Sequence, residues 1–406
     1  MKVLIINAGS SSLKFKLYNM ADDTVIAEGN CQRVGLSDSE IRYKNASGVK
    51  ETFVENLPSH RAALRRVLAL LCEGETAVIA SIKEIDAAGH RVSMGGDRYA
   101  ETVLVDESVI ETVDELSEIT PLHNPPQLKC ILACRELFGE DFPMTVGFDT
   151  AFHHSIPQRA FTYGIPYEYY EKYSLRRYGF HGLSYQFVVE RYNELTGGGS
   201  AGEKLVVCHL GGGASVSPIV GGVSMDNTFG FGTGQGPVCG SRAGTFDHVA
   251  IGYLMKKTGM DYQQIEEMLH REGGILGISG ISSDEKELED AVMAGSERAK
   301  LALEVMAYQI RQYIGGYAFS MGGLDSIIFT GGIGENSDYM RAEICANLEP
   351  FGIVLDGSAN VEHNRTEHLI STPDSKVKVW IIPTNEELVI ARDTMRILTK
   401  NTESVH

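Results

Sequence analysis

Three short turns in this sequence set small residues directly after apolar runs. They are Asn7-Ala8-Gly9-Ser10-Ser11-Ser12, with Lys14 close behind; His209-Leu210-Gly211-Gly212-Gly213; and Gly331-Gly332-Ile333-Gly334-Glu335. A phosphate group needs several converging N–H donors and a backbone that approaches without a Cβ in the way, and glycine supplies both. No GxxxxGK[ST] segment occurs, and Gly331 to Glu335 lacks the spacing of a dinucleotide fingerprint. Each turn alone also reads as a tight connection, but their recurrence points to phosphate. A second set places cations and acids among glycines: His90 and Arg91 before Gly95-Gly96, Asp149 after an apolar run, Arg176, Arg177 and His181 around Gly179 and Gly182, and Arg242 between Gly240 and Gly244. Pro121 to Pro126 forms a rigid loop carrying His123. Alone, Asp149 reads as a helix cap, His181 as a hydrogen-bonded structural histidine and Arg242 as a surface ion pair. Together with phosphate-type turns they suit in-line phosphoryl transfer, where charge on the moving group must be neutralised. His90, His153 and His154 lack the spacing of a metal-binding set.

These residues need elements to hold them. Val3 to Ile6 leads into the serine-rich turn, and an alternating run from Leu13 to Tyr18 leaves it, which predicts a β-hairpin with one buried face. Leu205 to Leu210 and Ala214 to Ser217, flanking Gly211 to Gly213, repeat that pattern half a chain later and suggest a duplicated α/β domain. Further strands are expected at 326–330 and 377–382. Helical periodicity is read at 60–72, at 298–317 with a break near Gly315-Gly316, and at 388–398, capped by Thr384 or Asn385. Strands alternating with helices indicate an α/β architecture with a mixed or parallel sheet.

Composition narrows the partners. The 406 residues carry 36 Lys and Arg against 54 Asp and Glu, a net charge of −18, with 43% hydrophobic content. Such acidity argues against a nucleic-acid binder and against a basic membrane-surface protein. No apolar run approaches a membrane span, and the first residues read as a strand and not as a signal peptide. Seven scattered cysteines without a CxxC fit a reduced cytoplasm.

The ordered motifs Asn7–Phe15, Gly89–Val92, Pro121–Pro126, Phe148–His153, Arg176–Gly182, His209–Gly213, Gly277–Asp284, Phe329–Ser337 and Pro383–Leu388 closely resemble the acetate kinase family. The resemblance runs over roughly residues 1–398. It implies duplicated ribonuclease-H-like, actin-like ATPase domains with a central cleft: residues 1–150 plus 385–406 as the first, and 151–384 as the second. It implies reversible phosphoryl transfer from ATP to a carboxylate, giving an acyl phosphate and ADP, with Mg²⁺ or Mn²⁺, in a cytoplasmic homodimer. By that resemblance Asp149, His181 and Arg242 are catalytic, and Asn7 and Glu386 lie near the metal. Lys14, His209, Leu210, Gly211, Gly212, Gly213, Asp284, Glu285, Lys286, Gly331, Gly332, Ile333, Gly334 and Glu335 surround the nucleotide. Arg91 holds the substrate carboxylate, and Ser93, Leu122, Phe180 and Thr233 line the acyl group. A carboxylate acceptor is already ionised at pH 7, so Asp149 is expected to position groups and not to act as a strong base.

The sequence departs from the family pattern at specific places. Ser93 and Thr233 replace an apolar Val and Pro of the acyl pocket, Met94 replaces a His, and Gly212 replaces an Asn. A hydroxyl facing a bare methyl group would be buried without a partner, at roughly 1–3 kcal/mol. Two expectations stand side by side: an acceptor larger or more polar than acetate, or hydroxyls of Ser93 and Thr233 that bond to nearby backbone in a site that still takes acetate. The glycine-rich run Gly230–Gly236 is expected to be loose unless a ligand orders it, which leaves the phosphoryl donor open between ATP and another.

Overall fold

A computed structural model describes residues 1–362 and 366–403. It falls into two compact units, Met1–Phe152 with Asn385–His406, and His153–Thr384.

The first unit is built on an eight-stranded sheet. Its strands are β1 (Lys2–Ala8), β2 (Ser12–Asn19), β3 (Thr24–Gln32), β4 (Ser39–Asn45), β5 (Lys50–Glu55), β6 (Ala87–Val92), β7 (Val103–Leu104) and β8 (Met144–Phe148), in the order β5-β4-β3-β2-β1-β6-β8-β7. The β1–β2 hairpin is antiparallel, whereas β6 runs parallel to β1 and β8 parallel to β6. Val3 to Ile6 are all buried, because both faces of β1 are covered. Helices Asn124–Phe138 and Glu386–Glu403 both pack on it, and a doubly covered strand reads as a continuous apolar run.

The second unit has six strands: β9 (Lys204–Leu210), β10 (Ala214–Val220), β11 (Val223–Ser224), β12 (Ser326–Thr330), β13 (His368–Leu369) and β14 (Lys378–Ile381), ordered β11-β10-β9-β12-β14-β13. This repeats β3-β2-β1-β6-β8-β7 strand for strand, including which neighbours are parallel. The two echoed hairpins therefore begin two copies of one topology, the ribonuclease-H-like order. In the first copy β4 and β5 extend the meander.

Helix His60–Cys72 matches its periodicity and is capped by Ser59, whose side chain accepts from the Ala62 N–H at 3.2 Å. The helix read at 298–317 runs from Glu297 to Met321. Gly315 and Gly316 do not break it, and the stop is Gly322, at φ 70°, a left-handed cap that glycine adopts without strain. All seven cysteines are free thiols, and all but Cys72 are buried. Among the described residues no helix is long and apolar enough to cross a membrane.

Candidate functional site

In the first unit the charged groups gather where strands end. Arg91 is the penultimate residue of β6, and its neighbour β8 delivers Asp149 one residue beyond its own end. The Asp149 N–H donates to the Val92 carbonyl at 2.9 Å, which fixes that step. Helix Glu386–Glu403 packs on β1, β6 and β8 and presents Glu386 in its first turn. Gly89 makes this approach possible: a Cβ there would lie 2.6 Å from Ile390 Cγ2 and 2.7 Å from Ile5 Cδ1.

Arg91 joins the two acids. Its Nε and Nη2 donate to the two oxygens of Asp149, each at 2.9 Å, and Nη1 lies 2.8 Å from Glu386 Oε2. The guanidinium fork that the resemblance would give to a substrate carboxylate here clamps Asp149 in a bidentate pair. Burial alone would lower the Arg91 pKa, but the charges of Asp149 and Glu386 win and raise it. Burial pushes the Glu386 carboxyl up, with Arg91 opposing and Asp149 and Glu387 reinforcing the rise. Asn385 and Glu387 are anchored beside it, since Lys16 Nζ lies 3.2 Å from Glu387 Oε2 and the Tyr18 hydroxyl donates to Asn385 Oδ1 at 3.1 Å. Asn7 is paired with Lys14 across the β1–β2 ladder, so their side chains share a face.

Ser93 is buried and satisfied. Its N–H donates to Gln127 Oε1 at 3.0 Å, and Gln127 Nε2 donates back to its Oγ at 3.1 Å. Asn124 holds the next residue in the same way, accepting from Met94 N–H and donating to its carbonyl, and Thr150 Oγ1 accepts from Gly95 N–H. Sequence reasoning had singled out the Pro121–Pro126 loop for His123. The residues that grip the Ser93–Gly95 segment are Asn124 and Gln127, whose amides carry matched donors and acceptors. Leu122 is 47% exposed.

In the second unit His181 stands at φ 62°, left-handed for a non-glycine residue, just before helix Gly182–Thr196. Such a conformation persists only where the surroundings enforce it. Its Nδ1 lies 2.9 Å from Ser215 Oγ, and Ser215 Oγ lies 2.7 Å from the Tyr185 hydroxyl. Burial raises the Tyr185 pKa and keeps its proton on. Ser215 Oγ thus links the Tyr185 hydroxyl to Nδ1 of the His181 imidazole. The His181 ring lies against His209 with centroids 4.0 Å apart, and His209 Nδ1 is bonded to Ser184 Oγ.

Arg242 reaches the same place. A Cβ on Gly213 would sit 2.4 Å from Arg242 Nη2 and 3.5 Å from His181 Cε1, so glycine there lets the Arg and His close on the Gly211–Gly213 turn. Gly212 has open space around its α-carbon. Arg242 Nη1 donates to Thr233 Oγ1 at 2.8 Å, so the Thr233 hydroxyl also has a partner. Both hydroxyls are therefore partnered, by the side chains of Gln127 and Arg242 and not by the expected backbone, and neither would be orphaned beside a methyl group. Phe180 is buried and meets the Phe229 ring edge-on at 6.0 Å. The Gly230–Gly236 run is not loose either. Phe231 N–H donates to the Tyr163 hydroxyl at 2.8 Å, the same hydroxyl meets Gln235 Oε1, and Gly236 exchanges bonds with Thr245 through both its N–H and its carbonyl.

Other expected residues have structural duties. Gly331–Asn336 is a short helix and not a plain turn, with Gly331 at φ 77°. Glu335 Oε1 accepts from the N–H groups of Gly331 and Thr384 at 2.9 and 3.1 Å. The carbonyl of Gly334 accepts from the fully buried Arg341 at 2.9 Å, and Ile333 is half-buried. Leu210, at the end of β9, is buried, and its carbonyl oxygen lies where a Cβ on Gly331 would come within 2.7 Å. Asp284 caps helix Glu285–Met293, Glu285 is buried, and the exposed Lys286 pairs with Glu289 at 3.0 Å. Arg176 lies over the Phe161 ring at 3.6 Å, and Arg177 faces Asp226 at 3.4 Å, so both brace the His181 loop. Among the described residues no cluster of three or more His, Cys, Asp or Glu could hold a metal ion.

Duplicated sheets with cations collected at glycine-lined strand ends define the class: a ribonuclease-H-like α/β protein built to handle anions. The chain belongs to the acetokinase family, which it matches over residues 2–392. It is 45% identical over 400 residues to the acetate kinase of Dictyoglomus thermophilum, covering 98% of this chain and 100% of that one. Among solved structures it resembles an acetate kinase of Porphyromonas gingivalis, with TM-score 0.92, 38% identity and coverage of 98% and 99%. It also resembles a propionate kinase of Francisella tularensis, with TM-score 0.90, 31% identity and coverage of 97% and 99%.

Proposed function

We propose that this protein is an acetate kinase, moving the γ-phosphoryl group of ATP reversibly to a carboxylate oxygen of acetate. The terminal P–O bond of ATP breaks, a P–O bond to the carboxylate forms, and ADP and acetyl phosphate result. The full-length likeness to acetate kinases carries this reading. A hydroxamate assay tests it: with ATP and a panel of short carboxylates, hydroxylamine should trap the most acyl phosphate from acetate. Preference for a hydroxylated or aminated acid over acetate would overturn the choice of acceptor. The partnered hydroxyls of Ser93 and Thr233 support acetate, since neither needs a polar substituent on the substrate.

In-line transfer needs alignment and charge neutralisation more than covalent help. Arg242 and His181 supply positive charge and an N–H donor toward the equatorial oxygens, held against the Gly211–Gly213 turn. Arg91 orients the acetate carboxylate with the N–H donors that Asp149 and Glu386 leave, and the two acids fix the arginine. Lys14 is read as a nucleotide cation of the first unit; within the second unit, His209 to Gly213, Asp284 to Lys286 and Gly331 to Glu335 are read as the nucleotide-binding segments. The residues also fit a hard divalent cation. Asp149 and Glu386 place two carboxylates against Arg91, and burial first, then the charges of Asp149 and Glu387, raises Glu386. Glu386, Asp149 and the Asn7 amide oxygen would hold Mg²⁺ or Mn²⁺ in the carboxylate-plus-phosphate manner. When bound, the metal neutralises phosphate charge.

The protein is further read as a cytoplasmic homodimer with its two units as its two domains. Helix His248–Thr258 buries none of its residues, and it exposes Val249 and Tyr253 to 67% and 61% beside exposed Phe246, Met260 and Tyr262. A second copy of the chain would cover that face. Seven free thiols support a reducing compartment.

A further inference from the structure

Two carboxylates meet over one hydroxyl in the second unit. Ser337 Oγ lies 2.9 Å from Glu285 Oε1 and 2.5 Å from Glu289 Oε1, and it accepts from the Met340 N–H at 3.0 Å. Glu285 and Ser337 are 7% and 4% exposed. A hydroxyl owns one hydrogen and can donate it to only one carboxylate. The second close oxygen contact is attractive only if that carboxyl itself carries a proton. The arrangement therefore needs one proton on the acid pair.

The pair sits between two segments assigned to the nucleotide. Glu285 opens the helix that Asp284 caps, and Ser337 follows Gly331–Asn336 directly while capping helix Asp338–Cys345. We propose that Glu285 is a positioning residue: the proton it shares with Glu289 through Ser337 clamps residues 284–286 to residues 331–337, and its loss loosens ATP binding. This rests on the reading of the chain as an ATP-dependent kinase.

Burial, then the bond to and charge of Glu289, push the Glu285 carboxyl up to about 8. Burial would also raise Glu289, but bonds from Glu285, Ser337 and Lys286 outweigh it and keep Glu289 ionised. The other charged groups around the pair are Lys286 and Asp290 on its own helix, Asp338, Tyr339, Arg341 and Glu343 on helix Asp338–Cys345, and Glu304 on helix Glu297–Met321. Because the folded-state value is raised, the stability that this proton contributes is present at lower pH and is lost as pH rises through about 8.

The test compares the full chain with Glu289→Gln, whose amide supplies an N–H where the shared proton lay. For the unsubstituted protein, KM for ATP should rise at least about threefold from pH 7 to pH 9, with kcat changing much less. Its melting temperature, without ligand, should fall over the same range. Glu289→Gln should flatten both trends. An equal rise and fall in the variant, or flat behaviour in the unsubstituted protein, would overturn the proposal. If Glu289→Gln does not fold, the unsubstituted melting series decides, and a flat series overturns the shared proton. Melting needs no turnover, so an absence of kinase activity would count against the function without being mistaken for an absence of the proton.

Discussion

At the scale of single residues, Arg91 is the joint of the first unit's site. Removing it leaves Asp149 and Glu386 buried without their shared cation. Breaking a buried pair from one side costs about 3–5 kcal/mol, and an arginine aimed at a phosphoryl transfer is worth roughly 10³-fold in rate. Arg91→Ala should thus lose at least about 10³-fold in kcat/KM and melt earlier. Near-normal steady-state kinetics in the variant would remove Arg91 from the chemistry. Ser215 offers a finer probe because its hydroxyl bonds His181 Nδ1 and the Tyr185 hydroxyl. Ser215→Ala removes the hydroxyl that holds Nδ1 of the imidazole, and should lower kcat by about tenfold or more with little change in either KM. A change confined to KM would contradict that role. Ser215 was hard to single out from sequence: it lies in an alternating strand where serine reads as an ordinary buried position. Ser93 and Thr233 were legible as departures but their partners were not, because Gln127 and Arg242 reach them only in the fold.

At the scale of elements, two glycines decide how closely parts approach. Gly331 combines φ 77° with a Leu210 carbonyl oxygen 2.7 Å from where a Cβ would stand. Gly331→Ala should therefore destabilise the chain by about 1–3 kcal/mol, read as a lower urea midpoint, and should raise KM for ATP. An unchanged midpoint would mean that the short helix shifts freely. The sequence revealed both hairpins and the helix at 60–72, since alternation and 3.6-residue spacing are local signals. It misjudged Gly315-Gly316 as a break, because glycine weakens a helix by only about 1 kcal/mol and packing of the flanking residues outweighs that. It misjudged Gly230–Gly236 as loose, because the bonds that pin it come from Tyr163 and Thr245, well outside the run.

At the scale of the whole molecule, the net charge of −18 sets a general field that repels both anionic substrates. Local cations work against it: Arg91, Lys14 and Lys16 in one unit, and Arg242 in the other. Acidity then serves solubility, and the chemistry belongs to small positive exceptions. The exposed side chains around helix His248–Thr258 make a second prediction at this scale. Light scattering should report twice the 44.4 kDa chain mass, and Val249→Glu with Tyr253→Glu should shift it toward the single chain. A monomer before substitution would leave that face to another use. The most direct test of the account is phosphorus NMR of the purified protein with MgATP and acetate. Acetyl phosphate and ADP should appear in equal amounts, and only when acetate is present; ADP with inorganic phosphate alone, or no change at all, would contradict it.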